Sequence, residues 1–179
     1  ALEKGGTLDK EPCSIAWSDE ELKELSQQLY FTDGPVIVTE NIRITGTVPA
    51  GDDFTPTENF YVMEQGKPVI DDMSHEQCLV IREPEGLYIF SGCSHRGVIN
   101  ALNAGKAMFP GERVAVLVAG MHLYSAAEED RSRVIDEILR ENMDRVMPVH
   151  CTGIDAICQL KSAMGSRCTV ATAGDVFTF

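Results

Sequence analysis

The sequence predicts an α/β fold, and the prediction depends on three features of the chain after residue 76. Strand-like and helix-like segments alternate there in the order β-α-β-α-β. The segment RVAVLVAG is a continuous apolar run, as expected for a strand buried on both faces of a sheet. Three of the strand-like segments end in loops that contain a histidine. Such an alternation is typical of parallel strands covered by helices.

The amino-terminal segment predicts one helix. Ser18 and Glu21 have the spacing of a capping box, in which two side chains satisfy free backbone amides at the start of a helix. The leucines that follow at helical spacing predict an amphipathic helix that ends near Tyr30. Residues 1–17 lack such a pattern, and we expect them to be extended or poorly ordered.

Short strands are predicted in the next part of the chain. Residues 36–48 are rich in β-branched side chains and have a polar break at 40–41, which predicts two short strands. Residues 51–74 are rich in loop-forming residues, with a small hairpin that turns at Gln65-Gly66.

The region after residue 76 predicts more regular elements. Residues 77–83 and 87–91 are joined by the turn Pro84-Glu85-Gly86 and predict an antiparallel pair. The further predicted elements are a helix over 98–108, a strand over 113–120, a helix capped by Ser125, a strand from Arg145, a helix over 154–164 and one or two closing strands within 168–179.

Composition and charge limit the possible classes of function. The 179 residues are 44% hydrophobic and contain no stretch long and apolar enough to span a bilayer, which predicts one soluble domain over residues 1–179 without a membrane partner. A net charge of −13 argues against a nucleic-acid partner. Six cysteines stand singly along the chain, so we expect free thiols and a cytoplasmic location.

Three histidines follow predicted strands: His95 in SGCSHRG, His122 in VAGMHLY and His150 in PVHCTG. Because the carboxyl ends of parallel strands share one edge of a sheet, we expect these loops to converge. Imidazole is a common metal ligand, so the pattern predicts a site for a divalent metal, with zinc favoured over iron or manganese. The alternative for any one loop histidine is an ordinary surface group.

Neighbouring residues allow other roles. Cys93 and Cys151 each lie near a candidate histidine and could be nucleophiles or redox thiols, roles that require a lowered cysteine pKa. Cys151, Thr152 and Gly153 precede a predicted helix, where free backbone amides can hold a phosphate or carboxylate of a substrate. The alternative is that Thr152 only caps that helix.

The segments EQCLVIREPEGLYIFSGCSHRGVINAL, LVAGMHL and MPVHCTGIDAICQL, in this order, resemble the carboxy-terminal part of metallo-β-lactamase-fold hydrolases. The resemblance is strongest to the subgroup of dihydropterin-methyl-aminobenzene ribofuranosyl phosphate synthase-like proteins, and it extends from about Phe31 to Phe179. It implies an αββα sandwich with a metal site at the edge between its two sheets.

The resemblance also implies roles for the histidines. His95 and His150 would occupy metal-ligand positions, and His122 would lie in the pocket as a ligand or as a catalytic contact to substrate. His75 falls where the broader superfamily often has a histidine, whereas the subgroup has an acidic residue there. The implied reaction is hydrolysis of a small phosphorylated or ester substrate by a metal-activated water.

The first metal-binding motif of that family, H-x-H-x-D-H, is absent from the 179 residues. We therefore expect an incomplete sandwich that lacks its amino-terminal part, and a chain that by itself is inactive. Its exposed face would be covered by the missing part or by self-association. The alternative hypothesis is a non-catalytic α/β module for binding or assembly.

Overall fold

A computed structural model of the protein describes residues 3–4, 7–8, 17–32, 34–51 and 60–178. Contacts divide the chain into two compact units. The smaller unit takes its described residues from Ala1–Thr32 and Thr57–Asp72, and the larger unit takes them from Asp33–Pro56 and Met73–Phe179. The prediction of one domain over residues 1–179 stays a prediction.

The secondary structure of the described residues follows the predicted order. The strands are β1 (Glu3–Lys4), β2 (Thr7–Leu8), β3 (Val36–Ile37), β4 (Ile42–Ile44), β5 (Tyr61–Glu64), β6 (Lys67–Ile70), β7 (Cys78–Glu83), β8 (Gly86–Ser91), β9 (Val114–Gly120) and β10 (Arg145–Val149). The α-helices are α1 (Asp19–Leu25), α2 (Val98–Ala107), α3 (Glu128–Arg140) and α4 (Ile154–Met164), with 3₁₀ turns at His150–Thr152 and Gly165–Arg167.

The smaller unit contains α1 and two antiparallel pairs, β1 with β2 and β5 with β6. The predicted capping box is confirmed, because the Ser18 amide donates to the Glu21 carboxylate and the Glu21 amide donates to the Ser18 hydroxyl. The predicted hairpin is also confirmed, and Gln65 and Gly66 both have positive φ, as a tight two-residue hairpin turn requires. Apart from β1 and β2, residues 1–16 of the segment expected to be extended lie outside the described residues.

The predicted extent of α1 is wrong. The helix ends at Leu25, five residues before Tyr30. At its end the Ser26 hydroxyl donates to the Lys23 carbonyl at 2.7 Å, and the Gln28 amide donates back to the Leu25 carbonyl. Such local bonds satisfy the last carbonyls of the helix and favour a turn over further helix.

The larger unit contains a six-stranded sheet with the order β10-β9-β8-β7-β4-β3. The strands β8, β9 and β10 are parallel, and β7, β4 and β3 continue the sheet in antiparallel pairs. The predicted pairing of 77–83 with 87–91 is confirmed as β7 and β8. The apolar run over 113–120 forms β9 between two parallel neighbours and is almost wholly buried, as predicted.

The helices α2, α3 and α4 contribute to one hydrophobic core against a single face of this sheet. Its members include Val80, Leu87, Ile89, Leu117, Ala119 and Val146 from the strands, and Val98, Leu102, Val134, Ile138, Ala156 and Leu160 from the helices. The opposite face carries a smaller cluster of Ala115, Val116 and Met147, with half-buried Tyr88, Val118, Ala171 and Phe177 packed against it.

This arrangement is a mixed α/β fold. Within the described ranges the larger unit has one sheet and one helical layer, which are half of the layers in the αββα sandwich expected from the resemblance. None of the described helices combines the length and the apolar composition that crossing a membrane requires.

Two further predictions about elements are wrong. Cys168 makes one isolated parallel bridge to Val146, and residues 169–178 form no closing strand. There the Asp175 carboxylate accepts hydrogen bonds from the Thr172 amide and hydroxyl, which favour a turn over a strand. Helix α3 is not capped by Ser125. It starts at Glu128, after a turn, and its N-cap Ala127 has no side-chain cap.

Replacing Leu117 with alanine tests the position of the core. Leu117 is fully buried in β9, so Leu117→Ala should lower the free energy of unfolding by about 2–5 kcal/mol through lost burial and a new cavity. The measurement is urea unfolding followed by circular dichroism. The control Val176→Ala changes a side chain that is 91% exposed and should stay within about 0.5 kcal/mol of the parent. Equal losses for the two variants would contradict the core described above.

Candidate active site

The three histidine-bearing loops meet at the carboxyl edge of the parallel strands. The ring centroids of His95, after β8, and His122, after β9, lie 4.3 Å apart. The Nδ1 atom of His150, after β10, lies 3.3 Å from the sulfur of Cys93. The predicted convergence of these loops is therefore confirmed.

The loops are fastened to each other by backbone contacts. The Gly120 amide donates to the Gly92 carbonyl at 2.8 Å, which joins the end of β9 to the loop after β8. A Cβ atom at Gly120 would lie 2.7 Å from that carbonyl oxygen and 3.0 Å from the sulfur of Cys151, so only glycine allows this approach. His122 and His150 both have a φ of 49°, an unusual backbone conformation that concentrates at functional sites.

Glu76 positions the loop that carries His95. Its carboxylate accepts hydrogen bonds from the backbone amides of His95 at 2.6 Å and Arg96 at 2.8 Å. The Arg96 guanidinium in turn donates to the Val48 carbonyl at 2.7 Å, which ties the loop to the chain after β4. The sequence analysis missed Glu76, because only the antiparallel pairing of β7 with β8 brings it beside a loop nineteen positions away.

Thr152 joins two of the loops. Its hydroxyl donates to the Val149 carbonyl at 2.8 Å and accepts a bond from the Met121 amide at 3.3 Å. The alternative that Thr152 caps α4 is wrong, since the N-cap is Gly153, which makes no side-chain bond. Gly153 has a φ of 86°, and a Cβ atom there would lie 2.5 Å from the Cα atom of Tyr124. The predicted contacts of Cys151, Thr152 and Gly153 with a substrate stay predictions.

A cluster of two thiols and one imidazole lies among the same loops. The sulfurs of Cys93 and Cys151 and a ring nitrogen of His122 all lie within 4.8 Å of one another. Both cysteines are half-buried, and His122 is 6% exposed. We call these three residues the thiol–imidazole cluster.

The thiol of Cys151 is unsuited to act as a nucleophile in the absence of a cation. Burial is the main cause that raises its pKa to about 12, and the neighbouring Cys93 adds to the effect. A nucleophilic or redox thiol needs a lowered pKa, so this direction argues against that alternative for Cys151. A bound cation would reverse the local electrostatics and favour the thiolate.

The predicted metal ligands lie beside the thiol–imidazole cluster. The His95 ring is tilted by 50° to the adjacent ring of His122, whereas the exposed His150 contacts Cys93 through its ring nitrogen. Their roles as ligands and the catalytic role of His122 stay predictions. His75 lies before β7 and is exposed.

The donors at this edge suit a divalent metal. Thiolate sulfur and imidazole nitrogen are the ligands that zinc prefers, and three of them leave a fourth position open, as in catalytic zinc sites. The predicted divalent cofactor thus fits the residues present, although the identity of the metal is not determined by them.

Sequence comparison identifies relatives of this chain. No family model matches the chain. The chain is 29% identical over 145 residues to the uncharacterized protein MJ0448 of Methanocaldococcus jannaschii, covering 79% of this chain and 53% of that protein. It is 31% identical over 101 residues to 7,8-dihydropterin-6-methyl-4-(beta-D-ribofuranosyl)-aminobenzene-5'-phosphate synthase of the same organism, covering 56% of this chain and 34% of that protein.

A solved structure extends the comparison to the fold. Tm1679, a metal-dependent hydrolase of the β-lactamase superfamily, superposes with a TM-score of 0.73 and 28% identity over 82% of this chain and 56% of that chain. The resemblance to metal-dependent hydrolases of the metallo-β-lactamase superfamily is therefore confirmed in sequence and in fold. The chain spans about half the length of MJ0448 and of Tm1679, and about a third of the synthase.

The close approach at Gly120 can be tested with one methyl group. Gly120→Ala should lower the free energy of unfolding by about 1–3 kcal/mol, because the new Cβ atom pushes apart the Gly92 carbonyl and the Cys151 sulfur. Urea denaturation provides the measurement. Gly34→Ala is the control, since a Cβ atom there meets nothing within 4 Å. If Gly120→Ala is as stable as the control, the two loops are not in the contact described.

The carboxylate of Glu76 can be tested in the same way. Glu76→Ala leaves the amides of His95 and Arg96 without their acceptor and should lower the free energy of unfolding by about 1–3 kcal/mol. Glu76→Gln keeps one acceptor oxygen and should lose less. The exposed Glu83 serves as the control through Glu83→Ala, and a loss there as large as for Glu76→Ala would contradict the anchoring role.

Proposed function

We propose that this chain is part of a metal-dependent hydrolase that acts on a small phosphorylated or ester substrate. The observation that carries the proposal is the convergence of His95, His122 and His150 at one edge of the sheet, beside two thiols. The similarity to Tm1679, itself a metal-dependent hydrolase, supports the class of reaction. The partial similarity to the aminobenzene-phosphate synthase supports the subgroup, and hence a phosphorylated substrate.

In this proposal a divalent metal supplies Lewis-acid chemistry, which polarises the scissile group and makes water a better nucleophile. His95 and His150 would hold the metal, in line with the resemblance. The Cys93 sulfur lies 3.3 Å from Nδ1 of His150 and within 4.8 Å of the Cys151 sulfur, so both thiols would be near that metal. Glu76 keeps His95 in place by binding the backbone of its loop.

His122 is the catalytic candidate. It is buried, and its ring lies between those of His95 at 4.3 Å and Tyr124 at 5.1 Å, so its orientation is restricted by packing. A fixed imidazole N–H can donate a hydrogen bond to the oxyanion that develops during hydrolysis, without reorganisation at that moment.

The start of α4 provides a place for the anionic part of the substrate. The residues Cys151, Thr152 and Gly153 lead into this helix, and free backbone amides at a helix N-terminus attract phosphate and carboxylate groups. The proposal assigns substrate binding to the backbone of these residues, because the Thr152 hydroxyl already bonds to the Val149 carbonyl and to the Met121 amide.

The proposal extends to partners and location. The sheet face opposite the helices carries half-buried Tyr88 and Val118, which supports covering of this face by a further part of the protein or by a second copy. The net charge of −13 supports the absence of a nucleic-acid partner. A cytoplasmic location is part of the same proposal and is supported by cysteines that are free in the described residues.

Replacing His122 tests the hydrolase proposal. In the complete enzyme of which this chain is proposed to be part, purified with its native metal, His122→Ala should lower the hydrolysis of p-nitrophenyl phosphate, bis-p-nitrophenyl phosphate or p-nitrophenyl acetate by about 10²–10³-fold, the typical cost of losing an oxyanion donor. His75→Ala removes an exposed histidine outside the site and is the matched control. A chelator should abolish the activity, and added zinc, iron or manganese should restore it.

A complete, natively purified protein without a stoichiometric divalent metal, whose hydrolysis of these substrates is untouched by chelation, would contradict the metal-dependent hydrolase. Equal turnover in His122→Ala and His75→Ala would contradict the catalytic role of His122. The alternative of a binding or assembly module expects His95→Ala and His150→Ala to keep both stability and partner binding.

A further inference from the structure

We propose that Cys93, His122 and Cys151 form a binding site for a thiophilic divalent cation, with zinc as the best-fitting ion. The proposal concerns metal binding by this chain's own thiols and does not depend on hydrolase activity. It goes beyond the predicted ligands His95 and His150, because it assigns the first contacts with the metal to sulfur.

The spacing of the donor atoms is close to that of a formed site. Zinc binds sulfur at about 2.3 Å and imidazole nitrogen at about 2.0–2.1 Å, which in a tetrahedron places two sulfurs about 3.8 Å apart and a sulfur and a nitrogen about 3.5 Å apart. The three donors of the thiol–imidazole cluster lie within 4.8 Å of one another, so side-chain rotations that move each atom by about an ångström would bring them into coordination.

The backbone around the donors holds them together. Gly120 lies between the two cysteine loops. A Cβ atom added there would lie 3.0 Å from the Cys151 sulfur and 3.3 Å from the Cys93 Cα atom. Thr152, which follows Cys151, accepts a bond from the amide of Met121, which precedes His122. Because these contacts hold the backbone that carries the donors, only side-chain rotations remain to be restricted when an ion binds.

Partners outside the cluster support the role of the thiols. The Nδ1 atom of His150 lies 3.3 Å from the Cys93 sulfur, the type of outer contact that orients a metal ligand. The Cys151 sulfur lies 3.6 Å from the Cys93 carbonyl oxygen. The half-burial of both cysteines keeps the cluster accessible from solvent, as an exchangeable ion requires.

The inference adds to the proposed role of His122 without excluding it. Imidazole has two ring nitrogens, and binding of a metal by one leaves the other free to donate a hydrogen bond. The alternative state of the two thiols is a disulfide between Cys93 and Cys151. An oxidant such as hydrogen peroxide would form it, with loss of two protons and two electrons from the thiols. That disulfide is an outcome of the test below.

Cobalt(II) provides the probe, because thiolate ligation gives an intense charge-transfer absorption that oxygen and nitrogen ligands do not give. We expect the reduced, full chain to take up one equivalent of cobalt with this absorption, and zinc to displace it stoichiometrically. Cys93→Ser and Cys151→Ser should each reduce the absorption and weaken cobalt binding by more than about 100-fold. Loss of a residue that contacts a ligand but not the metal costs only about 10–100-fold. In this proposal His150 only orients Cys93, so His150→Ala should weaken cobalt binding by about 10–100-fold, whereas the hydrolase proposal, in which His150 is itself a ligand, expects a larger loss.

Matched controls separate the cluster from the rest of the chain. Cys158→Ser removes an exposed thiol on α4, and His75→Ala removes an exposed imidazole, so both should leave the cobalt absorption unchanged. His122→Asn should weaken binding and shift the visible cobalt bands, while far-ultraviolet circular dichroism verifies that each variant is folded. If a cysteine variant is unfolded, the parent protein is instead alkylated with iodoacetamide in the presence and absence of zinc. Zinc should slow the alkylation of Cys93 and Cys151.

Three results would overturn the proposal: no thiolate absorption with cobalt in the reduced parent, absorption that is undiminished in both cysteine variants, or zinc that fails to protect the two thiols. Purified protein with a Cys93–Cys151 disulfide that takes up no cobalt after reduction would identify a redox pair instead. Cobalt binding through the cluster, together with no hydrolysis of the phosphate or ester probes by the complete enzyme, would support this proposal and contradict the hydrolase.

Discussion

The parallel pairing of β8, β9 and β10 is the constraint on which the site depends. Parallel strands align their carboxyl ends, so the loops that follow them must leave the sheet at one edge. Helices α2, α3 and α4 pack on one face and keep this pairing buried, since backbone bonds of a parallel ladder are shielded best by such a layer. Every donor atom discussed above is carried by a loop whose position follows from that ladder.

A backbone hydrogen bond at a glycine then brings the loops closer together than a residue with a side chain would allow. Gly120 has no Cβ atom, and its amide reaches the Gly92 carbonyl while the Cys151 sulfur lies alongside. His122 and His150 are held at positive φ, a conformation that costs free energy for residues other than glycine and persists only where neighbouring contacts enforce it. The loops are thus strained but fixed, which suits a preorganised site.

The chemical character of the site combines two sets of donors. The resemblance directs attention to histidines, whereas the geometry places two thiols and His122 within 4.8 Å of one another. A pKa of about 12 for Cys151 shows how costly its thiolate is without a compensating cation, and the cost arises mainly from burial. The similarity to hydrolases of the β-lactamase superfamily and the sulfur-rich donor set therefore lead to separate proposals, which metal binding and turnover measure independently.

The sequence by itself determined the local elements and the meeting of the three histidine loops, because hydrophobic periodicity, the capping box at Ser18 and the order of strands and helices are local patterns. It failed where long-range or competing contacts decide, as at the end of α1 and in the segment after Cys168, whose turn is stabilised by the Asp175 carboxylate. Only the tertiary structure identified Glu76 as an anchor and joined Cys93 to Cys151, since these contacts link positions 19 and 58 residues apart and have no signature in spacing. The physical reason is that sheet register and loop closure, rather than local propensity, set which distant side chains share one edge.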